Sequence, residues 1–127
     1  MQLTLGQVLQ RLYDVHQLLT TAQRQVATAR DAEVKAAEAL TMGTARATMS
    51  DDCPRPKRGE NGVTVADRDA WVAHRVEAER FAHAVAEATR KAMEDNLRVV
   101  RDQASLAQSM AALMRAEMAL TATPGAA

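Results

Sequence analysis

Glu79, His83 and Glu87 recur at steps of four residues, a spacing that puts two carboxylates and an imidazole on one face of a helix. Such a set could in principle hold a cation. Helical di-iron sites, however, need a Glu followed three residues later by His on each of two helices, and this chain has no such pair. Paired acids spaced Glu-x-x-Glu, which would hold magnesium, are absent as well. A solvated polar face accounts for the triplet without a metal. The remaining histidines are His16 and His74. No Ser or Cys nucleophile stands beside a suitable base, and no glycine loop opens a helix to cradle phosphate. The sequence therefore assigns no catalytic, metal or cofactor-binding residue, and neither an enzyme nor a small-molecule substrate is expected.

The other chemistry on offer is charge. Arg55, Lys57 and Arg58 lie together in the run PRPKR, but Asp51, Asp52 and Glu60 balance them. Further on, Arg80, Arg90, Lys91, Arg98, Arg101 and Arg115 fall within about a third of a helix circumference, with Glu79, Glu87 and Glu94 among them. A cationic face can neutralise phosphates, which makes Arg90, Lys91, Arg98, Arg101 and Arg115 the candidate nucleic-acid contacts. More often such a face is the solvent side of an amphipathic helix. The whole chain carries 16 basic and 16 acidic side chains, so no global field draws it to nucleic acid or to a membrane surface.

These residues sit in a chain written almost throughout in helix formers. Its 127 residues include one Trp, one Tyr and one Phe against abundant Ala, which favours thin helix-on-helix seams over a thick core. Thr4 and Gln7 have the spacing of a capping box, so a helix is expected over about residues 4–49. Its seam reads Leu5, Val8, Leu12, Val15, Leu19, Ala22, Val26, Ala29, Glu33, Ala36 and Leu40, a heptad pattern with one acidic interruption. Gly43 and the Thr and Ser residues from Thr41 to Ser50 lower helix propensity, so fraying is expected there.

The stretch SDDCPRPKRGENG breaks the pattern. Pro54 and Pro56 forbid helix, Gly59 and Gly62 permit turns, and Asn61 with Gly62 is a turn pair, so residues 50–63 read as a solvated reversal between helices. A second helix is expected over about residues 64–121, capped by Thr64 with Asp67 and Asp69 in its first turn, and followed by a short tail at 122–127. At 1.5 Å per residue it would extend ~85 Å. Glu94, Asp95 and Asn96 are its weak point, where the pattern permits a bend. Trp71, Ala78, Phe81, Val85, Ala88 and Ala92 form a narrow stripe able to cover the first helix. From Met93 the stripe shifts by a residue to Met93, Leu97, Val100, Ala104, Ala107, Ala111, Met114 and Met118. A second row, Val99, Leu106, Met110, Leu113 and Leu120, stands about a third of a turn away.

The run AEATRKAMEDNLRVVRDQASLAQSMAALMRAEM, with AEVKAAEAL upstream, resembles a group of short helical proteins encoded by phages of actinobacteria among recombination and replication genes. The resemblance covers roughly two thirds of the chain and rests chiefly on Leu97, Arg98, Arg101, Gln103, Ser109, Arg115 and Glu117. It implies a non-enzymatic accessory role beside a recombinase or single-strand binding protein, and it supplies no catalytic residue. The loop at CPRPKRGENG lies outside it.

The fold expected is all-α: one domain, a long antiparallel helical hairpin of coiled-coil character that assembles into an oligomeric bundle. Two apolar rows exceed what one partner helix can bury, so a second copy or another protein should cover the rest, through Val99, Leu106, Met110, Leu113, Met114, Met118 and Leu120. A bend near Asn96 making a monomeric three-helix bundle is the alternative. Functionally the reading is an oligomeric adaptor, an accessory to phage DNA recombination or replication. The alternatives are an inhibitor that binds a host or defence protein, and weak direct nucleic-acid binding through the arginine stripe. The lone Cys53 and the lack of any ~20-residue apolar run fit a soluble protein of the host cytoplasm.

Overall fold

A computed structural model describes residues 3–59 and 62–122. The fold is all-α, with helices α1 (Leu5–Met49), α2 (Val65–Arg75) and α3 (Glu77–Thr121) and no strand among the described residues. Asn61 of the expected turn pair, Glu60 of the balanced loop and residues 123–127 of the expected tail lie outside them.

Both expected caps form. The Thr4 amide donates to Gln7 Oε1 at 2.9 Å and the Gln7 amide to Thr4 Oγ1 at 3.2 Å, which satisfies two amides that a helix start leaves over. At α2 the Asp67 amide donates to Thr64 Oγ1 at 3.1 Å and the Thr64 amide to Asp67 Oδ2 at 3.0 Å. The backbone amide of Thr64, bonding the charged carboxylate, holds Asp67 below its usual carboxylate range.

Helix α1 does not fray where low propensity suggested. It continues to Met49, and the hydroxyls of Thr41, Thr44 and Thr48 donate back to the carbonyls of Ala37, Leu40 and Thr44. The second helical stretch breaks at Val76 and not at Glu94 to Asn96. Val76 has φ −105° and ψ 20° while its amide still donates to Val72 at 3.1 Å. Helix α3 then runs unbroken through Glu94, Asp95 and Asn96. Those residues each cost only a few tenths of a kcal/mol of propensity, and Leu97 and Val100, buried in the next turn, outweigh them.

The chain divides into two compact units, one of Met1–Ala27 with Ala92–Ala127 and one of Thr28–Lys91. In the first unit the start of α1 runs antiparallel to the end of α3. Ala22, Val26, Leu97 and Val100 form its core, with Leu19 and Met93 packed against them. Ala22 and Ala107, both buried, put small side chains into this unit's interior.

In the second unit α1 again pairs antiparallel with α3, and α2 closes one end. Its core is Ala47, Cys53, Val72 and Val76, flanked by Leu40 and Trp71, whose ring carries the Arg75 guanidinium 5.8 Å from its centroid. The loop is therefore more than a solvated reversal, because Cys53 is one of the buried side chains. Backbone bonds shape it: Cys53 amide to Ser50 carbonyl at 3.1 Å, Lys57 amide to Val63 carbonyl at 3.0 Å, and Gly62 amide to Gly59 carbonyl at 3.1 Å.

The α3 stripe expected to cover α1 in this unit is not the one that does. Phe81 is 72% exposed, and Ala78, Val85, Ala88 and Ala92 are exposed too. The positions turned inward are Glu79, His83, Ala86 and Arg90, all half-buried. Two polar groups meet there: Arg90 Nε donates to Glu33 Oε2, pairing the acidic interruption of the α1 seam with a base on α3. Glu79 lies beside Gly43, where an added Cβ would sit 3.6 Å from the Glu79 Cγ, an ordinary contact.

Candidate interaction surface

Seven residues were expected to form an interface, and the structure sorts them into two sets. Val99, Leu106, Leu113 and Leu120 are spaced by seven on α3 and are between 54% and 81% exposed. They follow one line along the helix, about a hundred degrees from the buried Val100 and Ala107. Met118 is exposed near the end of α3. Met110 and Met114 are half-buried and face α1: Met110 lines a small cavity with Gln7, Val8 and Arg11, and Met114 lines a groove with Leu5, Val8 and Leu12.

The residues of the arginine stripe divide by their contacts. Arg90 lies inside the helix pair with Glu33 and is no solvent-facing contact. Lys91 pairs with Glu87 at 3.1 Å, holding that carboxyl below its usual range through the direct hydrogen bond and the ammonium charge. Arg98 pairs with Asp95 at 3.4 Å. Arg101 and Arg115 are exposed and, among the described residues, lie in no ion pair. The metal-type triplet is likewise divided: Glu79 is tucked beside Gly43 with Oε2 enclosed, and Glu87 is engaged by Lys91. Among the described residues no three His, Cys, Asp or Glu side chains converge as ligands for a metal.

What this arrangement can do is associate. The row of Val99, Leu106, Leu113 and Leu120 presents a one-per-heptad apolar edge on a helix already secured by α1 on another face. Helix seams of this kind are buried against other helices by van der Waals packing and desolvation. Asp95 and Asp102 are the acidic neighbours that border the row towards the rear of α3. No family model matches this sequence, and neither a curated protein nor a solved structure is similar to it. Among the described residues no helix is long and apolar enough to cross a membrane.

Proposed function

We propose that the protein is a non-enzymatic adaptor that self-associates through the apolar row of α3. The observation that carries this reading is the exposure of Val99, Leu106, Leu113 and Leu120 in strict heptad spacing on a well-packed helix. A net charge of zero offers no repulsion between copies. The order of the copies follows from Asp95 and Asp102: side by side in parallel, each would face its own twin across the seam, and an antiparallel pairing avoids this. The resemblance carried by Leu97, Arg98, Arg101, Gln103, Ser109, Arg115 and Glu117 supports an accessory role in phage DNA recombination or replication, within the host cytoplasm.

Light scattering coupled to gel filtration tests the association. At micromolar concentration the unmodified protein should elute with the mass of an oligomer. Replacing Leu106 and Leu113 together by Glu should yield monomers of unchanged helicity, because each carboxylate would be buried without a partner in the assembled state. A monomeric unmodified protein would sink the reading.

A further inference from the structure

On the other side of the α1–α3 seam from the leucine row, the first unit has a second surface with a different chemistry. There Leu5, Val8, Leu12 and Met114 line a groove of about 230 Å³, with the exposed Leu9 and Arg115 on its rims. From Leu9 to Gln23 on α1 and from Arg98 to Arg115 on α3, the positions flanking the seam on this side carry His16, Arg98, Arg101 and Arg115 but no carboxylate. Arg98 is already answered by Asp95, whereas Arg101 and Arg115 are in no ion pair among the described residues. The groove is smaller than the ~300–1,000 Å³ that small-molecule sites occupy. Its aliphatic floor gives a phosphodiester backbone nothing to bond, and Tyr13 alone offers a stacking ring.

An aliphatic floor with Arg115 on its rim, and Arg101 further along the same side of α3, complements an amphipathic helix whose polar flank is acidic. We propose that this groove takes such a helix from a partner protein, with large apolar side chains at i, i+3 and i+4 seated between Leu9 and Met114 and carboxylates directed to Arg101 and Arg115. The proposal deepens the adaptor reading and rests on it: the leucine row would join copies of the chain, and the groove would hold the cargo. A helix reaching from Arg98 to Arg115 has roughly 18 residues and a length of about 27 Å.

The test is a fluorescence-anisotropy titration of the full chain with a labelled peptide of that length, built from Leu at i, i+3, i+4 and i+7 and from Glu on its polar flank. Saturable binding is expected, weakened at least about tenfold by Leu9→Gln and by the pair Arg101→Gln and Arg115→Gln, with circular dichroism unchanged. A peptide with Lys in place of Glu should not bind. Absence of saturable binding, or binding indifferent to Leu9→Gln, would overturn the proposal. So would a single-stranded oligonucleotide that bound as tightly and depended only on the arginines, which would make the surface a nucleic-acid site. The same titration on the Leu106→Glu, Leu113→Glu protein separates the two ideas. Retained binding supports the groove whatever the oligomeric state; loss of binding there would move the peptide site to the leucine row. An unmodified protein that is monomeric yet binds the peptide would remove self-association alone.

Discussion

A methyl group added at Gly43 and one added at Gly62 meet opposite surroundings. At Gly62 the new Cβ would lie 2.4 Å from the Lys57 carbonyl oxygen and 3.1 Å from its carbon, both backbone atoms of the loop closed by the Lys57–Val63 hydrogen bond. Nothing there can move without opening the loop. At Gly43, inside α1, the Cβ would meet the Glu79 and Val76 side chains at 3.6 Å, ordinary contact, and would remove the roughly 1 kcal/mol that a mid-helix glycine costs. Gly43→Ala should therefore raise the thermal midpoint by about 3–6 °C and Gly62→Ala should lower it. Melting curves followed by circular dichroism decide both. A Gly43→Ala protein that melted earlier would mean that the enclosed Glu79 carboxylate needs the notch empty.

At the scale of elements, the seam of α1 and the two capped starts were legible in the sequence, because both are local patterns: apolar steps of three and four, and a hydroxyl three residues before its carboxylate or amide partner. The seam of α3 was legible only after Met93, where Leu97, Val100 and Ala107 are apolar and buried. Before it, Phe81 and Val85 outbid Glu79, His83 and Arg90 for the inward face on hydrophobicity alone. What reverses that choice is Glu33, forty-six residues or more away from any of them in the chain, whose charge needs a base opposite it. Cys53 was missed for the same reason, since a loop cysteine acquires a core only when α2 folds back over it. The ion pair also carries a prediction about register. Glu33→Ala or Arg90→Ala removes the ion pair from a largely buried site and should cost about 1–3 kcal/mol each in urea unfolding. Exchanging the two, Glu33→Arg with Arg90→Glu, should restore most of the loss. If the exchange were no better than the single changes, the pair would not be setting how α1 and α3 align.

For the whole molecule the question is whether a neutral chain with exposed arginines touches nucleic acid by itself. Of the five residues with the right chemistry, Arg90 is committed to Glu33, Lys91 to Glu87 and Arg98 to Asp95. Arg101 and Arg115 remain, separated by fourteen residues of α3, and the net charge adds no attraction at a distance. Two cations neutralise two phosphates, so any binding to duplex DNA should fall with salt at a logarithmic slope of only about −2 and start from a weak base. Base sequence should not matter, since contacts of this kind carry no readout of base edges. The isolated protein is therefore expected to show no appreciable affinity for short single- or double-stranded DNA at physiological salt, in anisotropy titrations that use the unmodified chain. The proposed self-association would multiply cations, but the proposed antiparallel pairing would point the two α3 helices in opposite directions and so would not align their arginines into a continuous track. Submicromolar binding that vanished on joint replacement of Arg98, Arg101 and Arg115 by Ala, with helicity and oligomeric mass intact, would contradict this. The arginines would then be the functional surface, and the apolar row would serve to set how many copies of it are presented to one strand.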